Sequence, residues 1–485
     1  MNTPTSAAPA DSTAVVESPS RLAPSATVEE HEAYGRSLRL TVSLESHAQL
    51  PVAVDRPSPV DLLEEQSASR VPDLVPIRYG RMLVSPFTFY RGAARIMASD
   101  LAATPRTGLE VQVCGDAHLS NFGLFATPER RLVFDVNDFD ETLPGPWEWD
   151  VKRLITSLVI AAQDNDYSNK QIRKIALNGA ATYRRTMTDF AQMRNVDVWY
   201  AHLDLDDFQE QIDAQLDPKR RKALARGFAK ARTRDSMQAL SKLTALHNGQ
   251  RRFIDDPPLI VRMDELLTPD ERQIFRDRYR SMFDGYLRSL QSDLRLLLDR
   301  YRFADMARKV VGVGSVGTRC WVALLLGRDQ NDPLFLQIKE AQPSVLAEFL
   351  RPSVFDNEGE RVVTGQRRIQ EASDMFLGWL RAQGADGLER DFYFRQLKDW
   401  KFSLDIASLR PKGMVAYARA CAWALARGHA RTGDRIAIAA YLGDTDTFDH
   451  ALLDFAKSYA GLNARDHLVL TDAVSSGRIT AVTGV

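Results

Sequence analysis

The sequence predicts an α+β fold in two lobes, one interrupting the other, and three observations carry that prediction. Strand-like runs at 109–114 and 131–136, and again between 301 and 340, are embedded in stretches of helical pattern. A glycine cluster, Val310-Val-Gly312-Val-Gly314-Ser315-Val-Gly317, opens the second group of runs. Helical pattern then resumes over 403–485, with Met414 to His429 the clearest case, so the later strands sit inside a longer helical frame.

At roughly 100–200 residues per domain, 485 residues allow a large core and more than one unit. A chain that is 44% hydrophobic and 26% charged is neither wholly disordered nor fibrous. Its 63 basic and 64 acidic side chains nearly cancel, so bulk charge predicts no nucleic-acid partner and no anionic membrane partner. Cys114, Cys320 and Cys421 are far apart and odd in number, which indicates neither a disulfide framework nor a zinc knuckle and fits a reducing compartment. The first residues lack a basic start and an apolar stretch, and the run Leu154 to Ala162 is too short to span a bilayer. The expectation is a cytoplasmic protein.

Along the chain, residues 1–30 are rich in Ala, Ser, Pro and Thr, too poor in large apolar groups to offset the entropy of ordering, and are expected to form a disordered tail. A helix is expected near 87–103, then strands at 109–114 and 131–136 flanking a loop. Helices follow over Val151 to Gln163 and over Pro269 to Tyr301, the latter with Thr268 as N-cap. The units expected are therefore a mainly helical part at 31–300, a glycine-loop-bearing part at 301–402, and a helical segment at 403–485 that completes the first. The basic run Lys219 to Arg234 carries Leu224, Phe228 and Ala231 at helical spacing and reads as a solvated helix face.

The chemistry concentrates in two places. The first is Cys114-Gly-Asp116-Ala-His118-Leu-Ser-Asn121, followed after the second run by Asp135-Val-Asn-Asp138-Phe-Asp140-Glu141. An acid in a short loop, an amide five residues on and acids at the end of the next strand would gather hard oxygen ligands at one edge of a hairpin. Such ligands suit Mg²⁺, which shares its coordination with water and substrate phosphates. Phosphoryl transfer uses this set, one carboxylate orienting the attacking hydroxyl while an amide and a carboxylate hold metal on the phosphates.

The pattern Gly115-Asp-x-His-x-x-Asn121, with Asn137-Asp-Phe-Asp-Glu141 and Pro144-Gly-Pro-Trp-Glu-Trp-Asp150, resembles the catalytic segment of aminoglycoside and choline phosphotransferases of the protein-kinase-like superfamily. That resemblance implies a protein-kinase-like two-lobed fold, with Asp116 as catalytic base, Asn121 and Asp138 as metal ligands, and Asp150 as a buried acid steadying the loop. The family's usual His two residues before the catalytic Asp is Cys114 here. The region from Arg78 through the 390s also resembles the bacterial domain-of-unknown-function family numbered 2252.

The second place is the glycine cluster, whose GxGxxG spacing supports two readings. In a dinucleotide fold a helix would open at Thr318 and Glu340 would meet a ribose hydroxyl. In a kinase fold Gly312, Gly314, Ser315 and Gly317 would cover ATP phosphates as a hairpin, Cys320 to Leu326 would return, and the strand ending Leu336-Gln-Ile-Lys339 would place Lys339 on the phosphates. Only the kinase reading also uses Asp116, Asn121 and Asp138. Lys339 should then have a glutamate partner, either Glu348 or Glu371, and Phe392 to Leu397 would be the last strand before the segment that binds adenine.

The glycine loop follows the acidic loop by about 195 residues, the reverse of the order in known kinases. Both assignments together imply circular permutation, which preserves contacts and needs only joinable old termini. Eleven residues separate Asp138 from Asp150, too few for a peptide-docking activation segment. The expected function is thus an ATP- and Mg²⁺-dependent phosphotransferase with a small-molecule or otherwise non-peptide acceptor, whose pocket Arg78, Arg81 and Arg91 could line. The alternatives are an ATP-binding pseudokinase or sensor without turnover, and a dinucleotide-dependent oxidoreductase.

Overall fold

The computed structural model describes residues 25–204, 235–384, 387–397 and 403–485, with positions 222, 226 and 400. Most of the run Lys219 to Arg234, and the residues before 25, fall outside them. The chain is mixed α and β. Among the described residues no helix is long and apolar enough to cross a membrane.

The first helices are α1 (Val28–Ser37), α2 (Pro59–Ser67), α3 (Val75–Met82), α4 (Pro86–Gly92) and α5 (Ala94–Ala102). Order begins earlier than residue 30: Thr27 and Glu30 form a capping box that starts α1. That helix packs close to the chain's far end, where a Cβ on Gly35 would lie 2.2 Å from the Ala437 carbonyl oxygen. The helix expected over 87–103 is two, broken at Ala93, and the first carries its own capping box from Ser85 and Thr88.

Strands β1 (Glu110–Val113), β2 (Phe122–Ala126), β3 (Leu132–Val136) and β4 (Leu143–Pro146) follow. The strand-like runs 109–114 and 131–136 are both strands, but they do not pair with each other. β1 pairs with β4 and β2 pairs with β3, each antiparallel. The partners were missed because Phe122–Ala126 and Leu143-Pro-Gly-Pro146 have little alternation, the second containing residues that strands ordinarily exclude.

α6 (Trp147–Asp164) is buried from Trp147 to Ala162, which explains its lack of a polar face. With α7 (Asn169–Gln192) and α8 (Asn195–Tyr200) it belongs to the main core. The chain's last helices share that core with the earlier ones.

Residues 235–300 depart from the expected division. They contain α9 (Ser236–Leu243), β5 (Thr244–His247), β6 (Gln250–Phe253), β7 (Ile260–Arg262), α10 (Met263–Leu266), α11 (Pro269–Arg288) and α12 (Ser292–Leu298). Thr268 caps α11 through a capping box, but the helix stops at Arg288, short of Tyr301. The segment packs on the sheet that follows it and not on the helical core. That sheet has β8 (Arg302–Lys309), β9 (Cys320–Leu326), β10 (Pro333–Ala341), β11 (Gly378–Gln383) and β12 (Glu389–Gln396), in the order β11-β12-β10-β9-β8-β7. Every pairing in it is antiparallel. Tyr286, Leu290 and Leu298 bury one face of it together with Leu325, Leu336 and Phe394.

α13 (Glu358–Ile369) lies between β10 and β11 in sequence. Its Arg361 donates to backbone carbonyls of Asp140, Thr142 and Gln342, stitching the acidic loop to the end of β10. α14 (Pro411–Thr432), α15 (Arg435–Leu442) and α16 (Thr447–Ser475) close the chain.

Candidate functional site

β1 delivers Cys114-Gly115-Asp116 to the site. Asp150, in the first turn of α6, accepts from the Cys114 and Gly115 amides at 2.7 and 3.0 Å, so one buried carboxylate satisfies two buried donors. His429 of α14 stands 3.3 Å from the same carboxylate. Gly115 has φ +82°, and a Cβ there would lie 2.2 Å from the Glu141 carbonyl oxygen, so only glycine fits.

Asp116 is held by Arg153 of α6 at 2.5 Å. Burial pushes its carboxyl up to about 6, opposed by the Arg153 guanidinium and aided by the charge of Asp138. His118 reaches within 3.6 Å of Asp116, is almost fully buried, and is held neutral by burial and by Arg91 and Arg153. Asn121 donates its amide to the Asp116 carbonyl at 2.6 Å.

The hairpin β2–β3 leads into Asn137 to Glu141. Here the two ends of the sequence pattern meet. Lys339 of β10 is 2.5 Å from Asp140 and 3.8 Å from Asp138. Asp140 also accepts from Tyr393 at 2.6 Å and from Ser315 at 3.2 Å. Burial alone would raise the Asp140 carboxyl, but the Lys339 ammonium beside it outweighs burial and holds it down at about 2. Burial works against the Lys339 charge, and Asp138 and Asp140 reverse that effect, raising its pKa well above the usual lysine value.

Residues 310–319 connect β8 to β9 as an antiparallel hairpin, with positive φ at Gly312 and Gly317. Arg70 donates to the Gly314 and Val316 carbonyls, and Arg81 to Gly312, which fixes the loop from outside. Asp116, Asn121, Asp138, Gly312, Gly314 and Ser315 all line one cleft of about 120 Å³. Lys339 reaches its edge through Asp138 and Asp140. Gly317 packs against the Arg70 side chain at the back of the loop.

Two expectations fail. The glutamate partner of Lys339 is neither candidate: Glu348 pairs with Arg95, and the Glu371 amide donates to Asp135. Asp140, in the turn after β3, takes that place at 2.5 Å. The helix from Thr318 that a dinucleotide fold requires is absent, since strand β9 starts at Cys320, and Glu340 pairs with Arg319. Phe392 to Leu397, expected as the last strand before an adenine-binding segment, falls largely in β12. On the Lys339 face, Val322, Leu324, Leu326, Phe335 and Leu397 pack against Ala239, Leu240 and Phe253 from α9 and β6. Nearer the lysine, Arg395 bonds Gln337 and the Asn137 carbonyl. The segment just after Leu397 lies largely outside the described residues.

Sequence reasoning quoted Asp140 without giving it a role and missed Arg153 and Tyr393. Asp140 was findable as the acid two residues after Asp138 in one cluster; Arg153 and Tyr393 carry no local signal. Among the described residues no group of three His, Cys, Asp or Glu converges as a metal site. Asn121 and Asp138 supply two hard oxygen donors, which fits a Mg²⁺ that takes its other ligands from phosphates and water.

A larger cavity of about 390 Å³ lies on the opposite face of the sheet, between Trp321, Ile338 and Phe392 and the α11 residues Met282 and Phe283. It is mostly apolar, and Asp116, Asn121 and Asp138 line the smaller cleft instead.

A family model described as "Uncharacterized protein conserved in bacteria (DUF2252)" matches residues 70–473, and the chain belongs to that family. No curated protein and no solved structure matches it.

Proposed function

We propose that this member of the DUF2252 family is an ATP- and Mg²⁺-dependent phosphotransferase with a kinase-like, circularly permuted fold and a non-peptide acceptor. The observation that carries the reading is the convergence of Lys339 with Asp138 and Asp140, nearly 200 residues apart in sequence, beside Asp116 and under a glycine hairpin. The sequence of glycine hairpin, lysine strand, helix α13 and two further strands agrees with a nucleotide-binding lobe placed late in the chain.

On this reading Asp116 orients an acceptor hydroxyl and accepts its proton. A new bond forms between that oxygen and the γ-phosphorus, the bond to the bridging oxygen breaks, and ADP leaves with the electron pair. A carboxyl pushed up to about 6 by burial is suited to that role near neutral pH. Arg153 fixes its direction. Lys339 meets the α/β phosphates, and the Gly312 to Gly317 backbone, with Ser315, covers them. Asn121 and Asp138 would hold Mg²⁺, whose charge offsets that of the phosphates. The phosphate end of the site is open, while the base end is closed by α9, so binding of the whole nucleotide requires α9 to withdraw.

The test is thermal unfolding with ATP, ADP and NAD, each with and without Mg²⁺, followed by turnover in the Asp116→Ala variant. Stabilisation by ATP with Mg²⁺, retained while turnover falls by orders of magnitude, supports the reading. Equal turnover in the variant removes Asp116 from the mechanism. Binding without turnover in the parent protein leaves the sensor reading.

A further inference from the structure

We propose that the acceptor carries an anionic group, a carboxylate or a phosphate, and that Arg91 receives it. This rests on the phosphotransferase reading and names the chemistry of its acceptor.

The argument is one of charge pairing inside the cleft. Most of its acids are already matched: Asp116 by Arg153, Asp140 by Lys339, and Glu340 by Arg319, while Asp138, the proposed metal ligand, shares Lys339 at 3.8 Å. Glu141 accepts from the Val345 amide, and burial pushes its carboxyl up to about 7. The basic groups are not matched in return. Of the three arginines expected to line an acceptor pocket, Arg81 is spent on the Gly312 carbonyl. Arg78 is fully buried and bonds only neutral partners, Ser67, Gln66 and the Gly92 carbonyl. Arg91 makes no hydrogen bond or ion pair with any described residue, and its Nε is buried without a partner. Burial depresses the pKa of both Arg78 and Arg91, as expected for cations short of counter-charge.

Arg91 lies where an acceptor would enter. It lines the same cleft as Asp116 and His118, and the charges of those two residues respond to it. The buried Nδ1 of His118 also lacks a partner. A guanidinium stays charged and offers a planar fork of donors matched to a carboxylate or phosphate. The cleft's volume of about 120 Å³ suits such a group.

The same chemistry could come from the nucleotide's own γ-phosphate, because the Arg91 carbonyl is also close to Gly314. Titration of inorganic phosphate into the full-length protein, free and saturated with Mg²⁺ and AMP-PNP, separates the two sources. We expect phosphate to bind the AMP-PNP complex. Arg91→Gln should weaken that binding by about tenfold or more, Arg91→Lys by less, with AMP-PNP affinity unchanged in both. Phosphate affinity equal in Arg91→Gln and parent, both folded by their melting profiles, overturns the proposal. So does an Arg91→Gln protein that loses affinity for AMP-PNP but not for ADP, since Arg91 would then serve the γ-phosphate. If AMP-PNP fails to bind at all while phosphate still binds through Arg91, the anion site stands, and the acceptor assignment falls with the nucleotide reading.

Discussion

Lys339 and Asp140 lie 199 residues apart in sequence and 2.5 Å apart in the structure. The pair is lopsided: the lysine side chain is 2% exposed and the aspartate 30%. An ammonium so deeply buried depends on its partner, whereas the carboxylate keeps water, Tyr393 and Ser315.

Removal of the two partners should therefore not cost the same. Asp140→Asn leaves a buried ammonium with Asp138 at 3.8 Å as its remaining carboxylate among the described residues, beside the Tyr393 ring, and is expected to destabilise by about 3 kcal/mol. Lys339→Met leaves a carboxylate that still has two donors and solvent, and should cost roughly half as much. Urea unfolding of both variants checks the order. Equal or reversed losses would mean that the ammonium is not the dependent member.

Gly115 and Gly108 share a positive φ, +82° and +83°, but differ in surroundings. A Cβ on Gly108 meets nothing within 4 Å, while one on Gly115 would collide with the Glu141 backbone. Gly108→Ala should cost only the conformational term, about 1–2 kcal/mol. Gly115→Ala should cost at least about 3 kcal/mol and displace Asp116. Similar melting temperatures for the two variants would show that the approach to Glu141 is not tight in solution.

Under the proposed mechanism, the pH profile of turnover reports on Asp116. A base whose carboxyl titrates at about 6 is protonated and inactive below that pH, so turnover should rise with pH through about 6 and then level. Arg153 favours the charged carboxylate, so a weaker partner in Arg153→Lys should move the limb to higher pH. An acid limb near the ordinary carboxylate value would contradict the buried environment described for Asp116.

Glu371 links stability to pH. Burial, and then the charge of Asp135, push its carboxyl up to about 7, so the folded state favours the protonated form. Its contribution is fully present below the unfolded value near 4.5 and is lost as pH rises through about 7. Glu371→Gln should flatten that window and be about 1–2 kcal/mol more stable than the parent at pH 8. Denaturation midpoints at pH 5 and pH 8 decide it; an unchanged pH slope in the variant would assign the dependence to another group.

Much of the site could be read from the chain. Asp116, Asn121, Asp138, Gly312, Gly314 and Ser315 are marked by spacing within short segments, and the structure brings them to one cleft, while Gly317 sits behind it. The strands β1, β3, β9 and β12 and the helices α6 and α14 likewise follow from local pattern. Legibility ended where a partner comes from elsewhere in the chain. Asp140 instead of a glutamate for Lys339, β4 instead of β3 beside β1, and the packing of 235–300 on the sheet all depend on contacts between distant segments.

The sequence by itself determined which chemical groups are available and the local bends that present them, because loop glycines, caps and apolar periodicity act over a few residues. Only the tertiary structure decided how charges pair across the cleft, that Arg91 has no hydrogen-bond or ion-pair partner among the described residues, and that α9 packs on the Lys339 face of the sheet. Those outcomes depend on desolvation and close approach between segments far apart in the chain, and no local pattern records them.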